Sequence, residues 1–212
     1  MPLSGEAKNE QGNAITRGTK PANGTEWVAI AGETEVVPEE SAGPARLIKK
    51  TGHGLVTGDI IVFTEINGKA TFGEVVGGLI IGQPYYVRKV NVNEIELANT
   101  KTQAESATVG EHIEYTVTIK VTSKIKKLVE HTGGKTVRKK TAFNVAANGV
   151  NEDPTAREIE ASGAVTVKWI MFFSAETNGT FMGCEPVTEK VLAEADIYKL
   201  TKSQVEQNAV LL

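Results

Sequence analysis

One cysteine, Cys184, stands alone in a chain of 212 residues, so no intrachain disulfide can form. Aromatic residues make up only 6%, and there are three histidines. Neither charge dominates. The 23 basic and 26 acidic residues leave a net charge of −3, too little for a nucleic-acid footprint. No apolar run approaches the roughly 20 residues of a membrane span. No basic, hydrophobic and cleavage-site sequence opens the chain, which argues against secretion through a signal peptide. The sequons at Asn23 and Asn178 therefore carry little weight, since nothing places them in a glycosylating compartment. Nothing repeats at a fixed period, which argues against a solenoid. No heptad or collagen-like stretch is present to enforce a trimer.

What the chain does have is glycine, 21 residues spread along its length, as many short strands joined by tight turns require. Hydrophobic content of 40% and charged content of 23% are those of a globular chain long enough to bury a core. The reading is all-β, preceded by a short N-terminal helix. Ser4 can cap that helix, Ala7, Gln11, Ala14 and Ile15 share one face, and Gly18 ends it. A Pro21–Gly24 turn leads to a strand over Glu26–Ala31. An acidic, proline-bearing connector spans Glu33–Pro44. Short strands then follow at Arg46–Lys50, Asp59–Glu65, Pro84–Val90, Glu94–Ala98 and His112–Ser123, with Ile113–Val121 alternating most cleanly. Further strands are predicted at Thr136–Val145, Gly163–Phe173, Phe181–Cys184 and Ala209–Leu212. The Gly163–Phe173 run is apolar enough for the middle of a sheet. Ala193–Gln207 reads equally as a helical turn or a strand.

Catalytic chemistry finds no foothold in this pattern. His53 and Asp59 stand six apart, matching no familiar metal site, and read as turn residues bonding to backbone. His112 alternates with Ile113 and is expected to face solvent. Cys184 lies among apolar neighbours and reads as a small buried hydrophobe. The glycines of GEVVGG and GGKTVRK lack the strand, loop and helix context of a phosphate site. Glu33, Glu35, Glu39 and Glu40 look like solvated loop residues, and Asn151-Glu152-Asp153 lacks the spacing of a calcium loop. Lys120, Lys124, Lys126, Lys127, Lys135, Arg138, Lys139 and Lys140 cluster, and read as solvated strand edges and turns. The competing reading is a patch that docks an acidic partner. The expectation is no enzyme, no catalytic residue, no cofactor and no metal.

Between Thr51 and Thr102 the chain carries HGLVTGD (His53–Asp59), IIVF, GGLIIGQPYYVRKV (Gly77–Val90) and NVNEIELANT. This resembles a small β-module common in phage and prophage structural proteins, and ATVGEHIEYTVTIKV loosely fits its closing strand. The module makes physical sense by itself. Leu55, Ile61 and Phe63 supply one buried face, and Gly54 and Gly58 permit turns that a side chain would resist. Asp59 can cap its turn. Tyr85 and Tyr86 point to opposite faces, one for the core and one for contacts.

The flanks also have a familiar texture. LSGEAKNEQGNAITRGT, TEWVAIA, Gly133–Arg138, Ala142–Asn148, Phe173–Thr180 and a C-terminal Asp-x-x-x-Leu strand resemble a phage family often labelled tail-fibre protein. The resemblance implies a discontinuous, jelly-roll-like β-sandwich over residues 1–41 and 123–212, interrupted by the inserted small barrel or sandwich at 42–122. It implies a structural protein of a tailed-phage particle, made in the host cytoplasm and mounted on the virion exterior in a decoration, minor-capsid or fibre-like role. Its partners would be major capsid or tail proteins and further copies of itself, a trimer being one option, with no nucleic acid and no membrane. The alternative is a host-surface receptor- or glycan-binding module of the tail. Trp27, Tyr85, Tyr86, Trp169, Phe172 and Phe173 are the candidate interface anchors, since aromatics dominate interface energy. For each, a place in the core is the competing reading.

Overall fold

The computed structural model of the protein describes residues 27–39, 46–108, 111–141, 150–153, 156–200 and 203–206. The helix expected within 2–19, the turn at 21–24 and the strand at 209–212 lie outside them. The fold is all-β, with many short antiparallel ladders and a single five-residue helix among the described residues. These residues divide into two compact units. Glu33–Val129 form one, the inner unit in chain order, and the described residues on both sides of that segment, up to Gly32 and from Glu130 onward, form the other, the outer unit in chain order.

Strand β1 (Trp27–Val36) begins in the outer unit and ends in the inner one. It is longer than the expected Glu26–Ala31. The first residues of the expected connector end it: Glu33 and Glu35 reach Lys126 at 3.4 and 2.8 Å, and Val36 enters the inner core. A carboxylate that meets a lysine across a sheet can sit in a strand as readily as in a loop.

In the inner unit follow β2 (Ile48–Lys49), β3 (Ile60–Glu65), β4 (Val75–Val76), β5 (Leu79–Ile80), β6 (Pro84–Lys89), β7 (Glu94–Ala98), helix α1 (Lys101–Glu105) and β8 (Lys124–Glu130). The sheet runs β8-β3-β6-β7-β2. Alternation places Ile61 and Phe63 of β3, Tyr85 and Val87 of β6, and Ile95 and Leu97 of β7 in one core. The Phe63 and Tyr85 rings meet edge-on there, 6.1 Å apart at 76°. Strands β4 and β5 form a hairpin over Gly77–Gly78, whose φ values of 58° and 94° are those a tight two-residue turn needs. Thr100 caps α1 in a capping box with Gln103.

The segment with the cleanest alternation, 113–121, is not a strand. Tyr115 and Ile119 are buried and Ile113 and Val117 pack beside them, so the period-two pattern does record a buried face. Ladder partners are what it lacks. Its backbone is satisfied piecemeal: Ile113 N–H donates to Leu97 O (2.8 Å), Thr116 N–H to Gly77 O (2.8 Å), and Lys120 N–H to Asn67 Oδ1 (2.9 Å). Alternation reports which side chains leave water; it does not supply a neighbouring strand.

The outer unit continues with β9 (Lys139–Lys140), β10 (Val150–Asp153), β11 (Arg157–Glu160), β12 (Val165–Phe173), β13 (Phe181–Leu192), β14 (Ile197–Leu200) and β15 (Ser203–Glu206). Of the predicted Thr136–Val145 strand, residues 136–141 are described, and among them only Lys139–Lys140 form a strand. β1 pairs with β12 from Trp27↔Phe173 to Ala31↔Trp169, and with β9 on its other side. β12 lies between β1 and β13 in the sheet, and its consecutive residues Trp169–Phe173 are all buried, so both of its faces are covered there and its apolar run is nearly continuous. β10 pairs with β15 and β11 with β14, so the ambiguous 193–207 region carries strands.

Candidate functional site

The motif residues of the inner unit close a hydrogen-bonded turn. His53 sits where the chain crosses the β6–β7 connection. Its Nδ1 accepts from Leu55 N–H (2.9 Å), so the proton belongs on Nε2, which donates to Asn91 O (2.9 Å). Gly54 and Gly58 stand at φ 67° and 94°, as their turns require. Asp59 Oδ2 accepts from Val56 N–H (2.8 Å) and pairs with Lys127 (2.8 Å). Both polar side chains are thus consumed by the turn. Leu55, Ile61 and Phe63 are buried below it.

A second knot gathers the motif residues of the outer unit. Arg138 forms a forked pair with Glu130, Nε to Oε1 at 2.7 Å and Nη2 to Oε2 at 2.8 Å. Its Nη1 donates to Ala175 O (3.1 Å), and its guanidinium lies 3.3 Å over the centroid of the Phe173 ring. The Gly-Gly-x-x-x-Arg and Phe-x-Ala-x-x-x-Gly-Thr segments, far apart in sequence, meet at this point. The second is itself a closed loop: Ser174 N–H donates to Thr180 O (2.9 Å), and Thr180 N–H to Ser174 Oγ (2.8 Å). Gly179 packs so tightly on Ala175 that a Cβ there would lie 2.7 Å from Ala175 O. Gly133–Thr136 makes a tight turn, not a phosphate loop, with Thr136 Oγ1 donating to Glu160 O (2.8 Å).

Other expectations change. His112 does not face solvent. Its ring is buried with Nδ1 3.3 Å from Glu96 Oε2, and Glu96 also holds Arg88 at 2.6 Å. The Ile113–Leu97 hydrogen bond draws residue 112 against β7, where no strand alternation governs its side chain. Cys184 is fully buried, and burial pushes its thiol well above the usual range, away from nucleophilic use. Lys124, Lys126 and Lys127 lie on β8 and reach Glu65 (2.6 Å), Glu33 and Glu35, and Asp59, so these three are not an open basic patch. Glu39 is not idle either. It accepts from Thr51 N–H (2.9 Å), a bond that lowers its carboxyl below the ordinary range. The side chains of Asn151, Glu152 and Asp153 lie outside the description. Among the described residues, no group of three or more His, Cys, Asp or Glu could hold a metal ion. No described helix is long and apolar enough to cross a membrane.

Five of the six aromatic anchor candidates are core residues: Tyr85, Tyr86, Trp169, Phe172 and Phe173 are all buried, and Trp27 is half-buried. Neither Tyr85 nor Tyr86 is left for contacts, because both faces of β6 are covered along Pro84–Val87.

Among the described residues, the aromatic ring that stands in solvent is Phe72, 46% exposed, in the β3–β4 loop. Val75 beside it is 61% exposed. The lobe that carries them is well tied. Gly73 N–H donates to Ile81 O (2.8 Å), Ile81 N–H to Glu74 O (3.0 Å), and Lys69 pairs with Glu74 (2.7 Å). The Phe72 ring rests on Gly82, filling the space a Cβ would need. The signal for it was present: an aromatic flanked by Thr71 and Gly73, outside any alternating run. No family model, curated protein or solved structure matches the chain.

Proposed function

We propose that this chain is a non-enzymatic structural protein of a tailed-phage particle, bound to capsid or tail proteins on the virion exterior in a decoration, minor-capsid or fibre-like role. The jelly-roll-like sandwich of its outer segments belongs to the same proposal. The observation that carries the reading is how the motif residues are used. His53, Asp59, Arg138 and Gly179 spend their polar atoms and close contacts on holding turns, which suits a scaffold whose loops are its working surface. Function by adhesion then needs apolar area presented on rigid backbone, and the Phe72–Val75 lobe offers it. Weak single contacts add up on a particle with many identical sites. Mass spectrometry of purified virions tests this: the chain is expected among the particle proteins, and its absence overturns the reading. A low-resolution map of the particle then assigns it to head or tail.

The host-surface reading gains one specific observation, an exposed aromatic on a loop. Glycan-array and host-cell binding by the isolated protein separate the two. Binding that is lost in Phe72→Ala favours the host-surface role.

A further inference from the structure

The described residues contain two Asn-Gly pairs, and the structure treats them in opposite ways. Asn67–Gly68 forms the tight turn between Ile66 and Lys69, with φ values of 51° and 87°. Both ends of the Asn67 amide are held: Nδ2 donates to Thr118 O (2.7 Å), and Oδ1 accepts from Lys120 N–H (2.9 Å) and Ser123 Oγ (3.0 Å). Asn178–Gly179 lies in the Ser174–Thr180 loop. Asn178 is exposed, stands at φ 55°, and its amide has no hydrogen-bond partner among the described residues.

We propose that Asn178 is a site of spontaneous covalent modification, converting to aspartate and isoaspartate in the folded protein, while Asn67 is protected. In the first step the Gly179 amide nitrogen attacks Cγ of Asn178. A new N–Cγ bond forms, the bond from Cγ to the side-chain nitrogen breaks, and ammonia leaves with the proton that Gly179 gives up. The product is a five-membered imide. Water then adds to one of its two carbonyls. Opening at Cγ gives aspartate; opening at the main-chain carbonyl gives isoaspartate, with the backbone rerouted through the side chain. Only solvent water is consumed.

Glycine after the asparagine leaves the attacking nitrogen without a neighbouring side chain. The free amide of Asn178 can rotate toward that nitrogen, whereas Asn67 would first have to give up its three amide hydrogen bonds. The left-handed backbone at Asn178 is a sparsely populated conformation, and conversion to isoaspartate lengthens the chain at that point. Each conversion adds one negative charge to the loop whose Ala175 carbonyl is bound by Arg138.

The test keeps the full chain folded in mildly alkaline buffer made with heavy-oxygen water and follows both sites by peptide mapping. Labelling by an isoaspartyl methyltransferase identifies the rerouted product. The Asn178 peptide is expected to change from amide to acid with one solvent oxygen, faster than the Asn67 peptide, which changes freely only in denaturant. Asn178→Gln should remove the methyltransferase label from that peptide, the peptides carrying the chain's other Asn-Gly pairs being read separately. Conversion at Asn178 that is absent, or no faster than at Asn67 in the folded chain, overturns the proposal.

Discussion

Arg138→Ala is expected to destabilise the outer unit by about 3 kcal/mol. The substitution removes both charge-assisted bonds to Glu130, the bond to Ala175 O and the stacking on Phe173. Hydrogen bonds to charged groups contribute about 1.5–3 kcal/mol each, and a cation over an aromatic face about 0.5–2. These terms overlap, because one guanidinium makes them all. The larger effect is on the partner left behind. The Glu130 side chain is 19% exposed, so its carboxylate stays mostly out of water without a counter-charge. Stranding a fully buried charge costs about 3–5 kcal/mol, and the residual exposure here places the value at the low end. The double variant Glu130→Gln with Arg138→Met should recover about 2 kcal/mol of that loss, since it leaves no charge behind. Urea unfolding followed by tryptophan fluorescence suits the experiment, because Trp27 and Trp169 both lie in the outer unit and report on it selectively. Lys135→Ala is the control: its pair with Glu160 is exposed, and such pairs contribute about 0–1 kcal/mol. A cost for Arg138→Ala no larger than that control, with single substitutions that add, would refute the argument and reduce the knot to an ordinary surface ion pair.

Burial raises the Tyr85 hydroxyl to about 12, although the Ile80 N–H bond works in the opposite direction. The folded state therefore favours the neutral phenol. That stability is complete below the ordinary value near 10 and is lost as pH rises toward 12, by about 2–3 kcal/mol; Tyr85→Phe should flatten the stability profile in that window. Asn67→Ala removes the acceptor that holds the Lys120 amide, so hydrogen exchange at Lys120 should lose about 1–2 kcal/mol of protection while the β12 amides keep theirs. Phe72→Ala should cost about 1 kcal/mol of stability, since about half of the ring is covered where it rests on Gly82. If the lobe is the contact surface, the same change should weaken uptake by particles lacking the protein by about 2 kcal/mol, read as a shift in the binding isotherm.

Much of the fold was legible before any coordinates. Runs with apolar residues at alternate or successive positions placed β3, β6, β7 and β12 within a residue or two of where they lie. Glycine and aspartate chemistry placed the His53–Asp59 turn, because a left-handed backbone and an unsatisfied N–H call for particular residue types. The capping box of Thr100 and Gln103 was also visible as T-x-x-Q, and reading it would have found α1. β8 was hidden, since KIKKLVE buries Ile125 and Leu128 without strict alternation and its lysines are neutralised only by carboxylates distant in sequence.

The sequence by itself determined the all-β class, the turn residues and the burial of Cys184, because each follows from local backbone preference or from apolarity. The tertiary structure decided that, among the described aromatics, Phe72 was left in solvent. Whether a tyrosine or phenylalanine is core or contact depends on what covers its face, and the core that takes in Tyr85 is built with Ile48, Leu55 and Ile119 from distant parts of the chain. The structure also decided that Ile113–Val121 would pack like a strand without being one. A ladder needs a partner edge, and the hydrogen bonds of that segment go instead to Asn67, Gly77 and Leu97.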